Sequence, residues 1–235
     1  MTWRFFISRP RIIFEIPENK LFITFEGIEG CGKTTQIKRL AKRLEDSSIQ
    51  FISTLEPGGT RIGQDIRRLL LDSRNSHLSP MAELILYAAD RAQHVEEIIR
   101  PALEQGKWVI CDRFFDATVA YQGGGRGLDM DLIMTLNSKV TKGLRPDITL
   151  LLDCPPEMGI ERALKRNNAS AQDGQDRFER EKMEFHKKVR NAYLEISHNE
   201  KRFSIINASL PEDAVEEEIF RVIAPHLKNP EKAKV

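Results

Sequence analysis

The chain has 235 residues, enough for one substantial core. Lysine plus arginine (36) nearly cancel aspartate plus glutamate (35), so net charge does not point to a nucleic-acid or membrane surface, and an anionic ligand must be met by local basic clusters. Three cysteines, Cys31, Cys111 and Cys154, suit neither a disulfide framework nor zinc-ligand spacing, a reducing cytoplasm is the expected setting, and no apolar stretch reaches the length of a membrane span.

Residues 1–20, MTWRFFISRPRIIFEIPENK, carry Arg4, Arg9 and Arg11 among aromatics and are interrupted by Pro10 and Pro17. They lack the long apolar core and small-residue cleavage site of a secretory signal. A flexible or loosely docked extension is expected there, ahead of one domain over 21–235. LFITFE (21–26) is the first of five short apolar runs; QFISTLE (50–56), WVICDR (108–113), ITLLLD (148–153) and FSIINA (203–208) follow. Their continuous apolar character suits parallel strands covered on both faces.

Helical patterns separate these runs. Residues 34–45 place Ile37, Leu40, Ala41 and Leu44 on one face, and similar spacing predicts helices over 61–71, 81–105, 130–142, 156–166 and 178–197, with AVEEEIFRVIAPHL closing the chain. The expected fold is a doubly wound α/β domain: three layers, with a five-stranded parallel sheet flanked by helices. Ligands in such folds gather beyond the carboxyl ends of the strands, which makes Glu26, Glu56, Asp112 and Asp153 site candidates. For Asp153 a helix-capping role is the favoured expectation. The polar stretch NNASAQDGQD (167–176) predicts a mobile surface loop.

The first strand runs directly into FEGIEGCGKTTQ (25–36), which contains Gly27, four residues, then Gly32, Lys33 and Thr34. This is the G-x-x-x-x-G-K-[ST] phosphate loop, with a strand before it and a helix after it. Glycines allow successive backbone N–H groups to surround a phosphate. Lys33 supplies positive charge, and the Thr34 hydroxyl can hold magnesium. The loop predicts binding of a nucleoside triphosphate. No N-K-x-D guanine-reading motif follows an apolar strand, which argues against a GTPase, and no basic or aromatic tract suggests a nucleic-acid motor.

LEPGGTRIGQDIRRLLLD (55–72), LYAADRAQHVEEIIRPALEQGKWVICDRFFDATVAYQGGGRGLD (86–129) and DRFERE (176–181) follow in order. Together with the phosphate loop they resemble the thymidylate kinase family, bacterial type, from about residue 21 to the last helix. The resemblance implies a P-loop nucleoside monophosphate kinase fold with a mobile lid over about 162–178. It also implies transfer of the γ-phosphoryl of ATP to dTMP with Mg²⁺, and a homodimer. Lys33, Asp112, Arg113 and Arg166 would be catalytic. Gly27, Glu29, Gly30, Cys31, Gly32, Lys33, Thr34, Thr35 and Asn207 would meet ATP, with Thr34 and Asp112 at the metal.

On the acceptor side the resemblance implies Arg67, Arg91 and Arg113 around the dTMP phosphate. Such a kinase needs arginines to hold two polyanions head to head. Tyr87 would stack on thymine, Gln122 with Thr118 would read its polar edge, Tyr121 would close against the sugar, Glu56 would approach the acceptor, and Glu29 would face the deoxyribose. Some members carry a second cation inside the phosphate loop, where this chain has Gly30. The missing charge is expected from the lid, with Arg166 ahead of Arg162 and Arg177. Leu55 stands where the family often has arginine, and the lid insertion is longer and more polar than compact versions.

Overall fold

Each of the five apolar runs forms a strand: β1 (Phe22–Glu26), β2 (Phe51–Leu55), β3 (Trp108–Asp112), β4 (Ile148–Asp153) and β5 (Phe203–Asn207). The computed structural model describes residues 20–169 and 176–227. All strand pairings are parallel, in the order β2-β3-β1-β4-β5. β1 is central and wholly buried, as are the first residues of β3 and β4. The edge strands differ from the expectation of burial on both faces: Ser53 and Leu55 of β2 and Ile205 of β5 are exposed. A strand at the rim has a neighbour on one side only, so it needs fewer apolar residues.

Side chains alternate across β1 with the two-residue period of a strand. Ile23 and Phe25 join the larger core, with Leu40, Leu44 and Leu150, while Phe22 enters a second cluster with Val95, Ile99, Val109 and Phe114. Glu26 therefore shares a face with Phe22. The register pairs Phe25 with Asp112 and Leu55 with Asp112, which brings the carboxyl ends of β1, β2 and β3 level. The loops that follow them meet at one edge of the sheet.

The helices are α1 (Lys33–Asp46), α2 (Arg61–Leu71), α3 (Pro80–His94), α4 (Arg100–Glu104), α5 (Phe115–Thr118), α6 (Met130–Thr141), α7 (Pro156–Ala169), α8 (Met183–Asn199) and α9 (Glu212–Ile223). Short polar side chains start three of them: Thr60, Ser79 and Asp129 accept from the N–H groups of Gly63, Ala82 and Leu132. α3 and α4 form one continuous helix through a wider turn over Val95–Ile99, just before Pro101, which has no N–H to donate. α5 likewise continues as wide turns over Val119–Gly125, a helix absent from the expectations above. α7 extends into the segment expected to be a loop. The remainder of that loop over 170–175 and the extension over 1–19 lie outside the described residues. α8 begins at Met183, five positions later than expected, because residues 177–181 turn and bury Phe178 against Tyr121.

Candidate active site

A cleft of about 200 Å³, open to solvent, lies over the carboxyl ends of β1, β2 and β3. Its floor is the phosphate loop. Gly32 is the N-cap of α1 in the left-handed region (φ 96°), which aims the first N–H groups of the helix into the loop. Gly30 is also left-handed (φ 67°), and a Cβ there would collide with the carbonyl oxygen of Gly159 on α7. The loop is thus packed against α7 too closely for a basic side chain at position 30.

Lys33 is buried and folds back over the loop, its Nζ donating to the carbonyls of Gly27 (3.1 Å) and Ile28 (3.0 Å). Thr34 Oγ1 is 3.4 Å from Asp112 Oδ2. A hydroxyl and a carboxylate side by side at a phosphate loop are hard oxygen donors of the kind magnesium takes, in small number, alongside phosphate and water. Among the described residues no group of three or more His, Cys, Asp or Glu could hold a metal by itself. Cys31 is buried with Sγ 3.5 Å from Lys33 Nζ, and Thr35 is half-buried on the first turn of α1.

Arg113 follows β3 and adopts a positive φ of 70°, which turns its side chain back across the loop. Its guanidinium donates to the Gly27 carbonyl (2.8 Å), pairs with Glu29 (3.1 Å) and lies over the Tyr121 ring. Tyr121 donates to the same Glu29 oxygen (2.5 Å), while His186 from α8 stands 3.6 Å from the other. Burial alone would raise the Glu29 pKa. His186, the Arg113 guanidinium and the Tyr121 hydroxyl outweigh it and hold the carboxylate down to about 2.

Arg67 reaches the cleft from α2. It donates to the Pro57 carbonyl (2.8 Å) and makes no ion pair among the described residues. Burial lowers its pKa, as expected for a cation kept out of water. Arg91 differs: it is 1% exposed, and its guanidinium bonds Glu56 (2.8 Å), Asn137 (3.0 Å) and the Phe114 carbonyl (3.1 Å). It still lines the cleft. Glu56 in turn bonds His94, whose other nitrogen is 2.7 Å from Thr54 Oγ1. Arg91 and Glu56 therefore brace each other under the cleft wall.

At the far end, Tyr87, Thr118 and Gln122 line the cleft together. Thr118 Oγ1 is buried without a hydrogen-bond partner, as is Glu29 Oε2. A buried polar atom without a partner costs free energy unless a ligand supplies one. Gln122 Nε2 donates to Glu83 (2.7 Å), which also pairs with Arg177 (2.7 Å) and Arg126 (3.3 Å).

The three arginines expected of a lid have separate positions. Arg166 is exposed, borders the cleft and lies 3.5 Å from Glu179. Arg162 donates to the Ala208 carbonyl, and Arg177 is buried against Glu83 and the Leu70 carbonyl. Asn207 ends β5, its side chain accepting from Ser209 N, and it does not border the cleft. Asp153 corrects the capping expectation: both its oxygens accept from Arg190 (2.7 and 2.8 Å), and α7 starts only at Pro156.

Glu83, Arg126, His186 and Tyr193 were not singled out from the sequence. Glu83 had a signal: it lies four residues before Tyr87 and eight before Arg91, on the same helical face. Tyr193 was hidden, since its hydroxyl links Glu26 (2.7 Å) on β1 to Arg113 (3.2 Å) across long separations in the chain.

A phosphate loop and a cluster of arginines lining the same cleft are the parts of a P-loop nucleoside monophosphate kinase. The chain matches the thymidylate kinase family over residues 25–219 and belongs to it. Among its relatives, a thymidylate kinase of Geotalea daltonii is 58% identical over 79% of this chain and 88% of the relative. Thymidylate kinases of Pelobacter propionicus (51% identical, 88% of this chain and 94% of the relative) and Trichlorobacter lovleyi (48%, 89% and 100%) match similarly. No described helix is long and apolar enough to cross a membrane.

Proposed function

We propose that the chain is an ATP-dependent thymidylate kinase that makes dTDP from dTMP, a step toward dTTP, in the cytoplasm. The observation that carries this reading is that residues of the phosphate loop (Glu29, Gly30, Lys33 and Thr34), of the expected base site (Tyr87, Thr118 and Gln122) and three arginines (Arg67, Arg113 and Arg166) line one cleft. Donor and acceptor can be held with reacting oxygens adjacent, and holding them so supplies much of the catalysis in phosphoryl transfer.

In this reading the ATP phosphates lie on the N–H groups of the loop, and Lys33 exchanges the loop carbonyls for phosphate oxygens. Thr34 and Asp112 hold Mg²⁺, which neutralises charge on the transferring group when bound. Asn207 and its neighbours flank the adenine. dTMP stacks on Tyr87, and its phosphate is taken by Arg67 and Arg113, with Arg91 and Glu56 keeping that wall rigid. Glu29 and Tyr121 meet the deoxyribose, where the closely packed ring of Tyr121 disfavours a 2′-hydroxyl. Arg166 neutralises charge that develops in the transition state as the lid closes and excludes water.

A homodimer is part of the proposal. Ile62 and Leu69 on α2, Ile85 on α3 and Met134 on α6 are exposed apolar side chains, and α2, α3 and α6 pack side by side. ADP release with Mg–ATP and dTMP, dUMP, dCMP, dGMP or no acceptor tests the reading. It predicts a strong response with dTMP; a response only to a purine monophosphate would overturn the assignment of the base site.

A further inference from the structure

We infer that Glu83 is a positioning residue that fixes which end of the Gln122 amide faces the base, and thereby commits the cleft to a pyrimidine with a hydrogen at N3. This rests on the thymidylate reading of the cleft and specifies how that reading is enforced. Glu83 lies on α3 behind the cleft wall, wholly buried. Arg177 (2.7 Å) and Arg126 (3.3 Å) pair with it, so the carboxylate offers only acceptors to its third neighbour. That neighbour is Gln122, whose Nε2 donates to Glu83 Oε1 at 2.7 Å.

An amide has two chemically different ends, and only its hydrogen-bond network decides their orientation. Reversing Gln122 would set its oxygen against a buried carboxylate oxygen and replace the shortest donor to Glu83 Oε1 by an acceptor, leaving that oxygen the longer bond from Arg126 (3.3 Å). That arrangement is far costlier than the one present. Gln122 Oε1 has no partner among the described residues, and Gln122 lines the cleft. The oxygen is therefore the group available to a base. Thymine and uracil carry N3–H, which donates to such an oxygen. Cytosine carries a bare N3, an acceptor, and would face acceptor against acceptor. Thr118 Oγ1, also unpartnered, can donate or accept and cannot make this distinction.

Arg177 lies two positions after residue 175 and Arg126 immediately after the wide turns that carry Gln122. Glu83 thus ties α3, the base-reading turn and the chain leaving the lid into one cluster. The identity of the base is set by a group that does not itself border the cleft.

The test compares kcat/KM for dTMP and dCMP in the wild type, E83Q, Q122E and the double variant E83Q/Q122E. The wild type should favour dTMP by about a thousandfold or more. In E83Q, the new amide can donate or accept, Gln122 is free to reverse, and the dTMP:dCMP ratio should fall by about tenfold or more. Q122E places two carboxylates in contact and should lose about a hundredfold in kcat/KM for dTMP. The double variant restores donor against acceptor and leaves a carboxylate oxygen for the base, so it should recover to within about tenfold of wild type. An unchanged ratio in E83Q, or a folded double variant no better than Q122E, would overturn the role of Glu83. Where substitution at position 83 prevents folding, the Gln122 side-chain NH₂ signals of the ¹⁵N-labelled wild type decide. They should be resolved and slow to exchange with and without dTMP, and rapid exchange in both states would overturn the proposal. A wild type inactive on dTMP would remove the thymidylate reading itself; an active wild type with an unchanged E83Q ratio removes only the inference about Glu83.

Discussion

Glu26 is a buried acid at the centre of the sheet, and replacing it by glutamine should make the protein more stable at neutral and alkaline pH. The side chain is wholly buried; its Oε1 accepts from the Phe114 N–H (2.7 Å), and its Oε2 lies 2.7 Å from the Tyr193 hydroxyl. Burial and the nearby Asp116 carboxylate raise its pKa from 4.5 to about 8, against smaller opposing effects of Arg113, Tyr193 and Phe114. The folded protein therefore holds a proton that the unfolded chain has released. Stability is fully present below about pH 4.5, falls as pH rises, and levels off above about pH 8. At about 1.4 kcal/mol per pH unit, the whole interval corresponds to roughly 5 kcal/mol, and several kcal/mol is the expected loss.

Glutamine reproduces the protonated form: its oxygen can accept from Phe114 N–H, and its NH₂ can donate to the Tyr193 oxygen. E26Q should thus lack this slope. Urea unfolding of both proteins between about pH 5 and about pH 9 measures it. The stability of E26Q relative to wild type should climb by several kcal/mol across the window. Parallel curves would refute the reasoning, because they would mean that Glu26 takes up no proton on folding.

Other predictions concern the site. R166A should lower kcat by about a hundredfold or more with little change in KM for either nucleotide, since its charge is needed in the transition state; steady-state kinetics checks this. R91A strands buried Glu56 without its cation and should cost about 3–5 kcal/mol, read as a large fall in Tm. G30A forces a Cβ at positive φ against the Gly159 carbonyl and should cost about 1–3 kcal/mol while raising KM for ATP more than for dTMP.

Legibility followed sequence distance. The phosphate loop is a contiguous motif, and the strands are contiguous apolar runs, so both could be read locally. The helix over 115–125 was missed because Gly123, Gly124 and Gly125 suggest a loop. They serve instead as close-packing positions. A Cβ on Gly124 would collide with Ala192, and one on Gly125 would come within 2.6 Å of Phe185, so the bare backbone lets this helix lie directly on α8. The edge-strand pattern was also misjudged, since the position of a strand within the sheet is set by pairing and not by its own composition.

Within the site, the residues that border the cleft were largely legible through motif order. The layer behind them was not. Arg91 was expected at the phosphate and lines the cleft, but the sequence did not show that its guanidinium also bonds Glu56, Asn137 and Phe114, partners 35, 46 and 23 positions away. Tyr193, His186 and Glu83 likewise act on residues far along the chain. A titratable residue on a buried helical face is the only trace such groups leave in a sequence.

The most direct measurement is transfer of label from γ-labelled ATP, with the purified chain, Mg²⁺ and dTMP, followed by separation of the nucleotides. The account predicts label in dTDP, dependent on dTMP and abolished by K33A. Label released only as inorganic phosphate, or remaining in ATP, would contradict it.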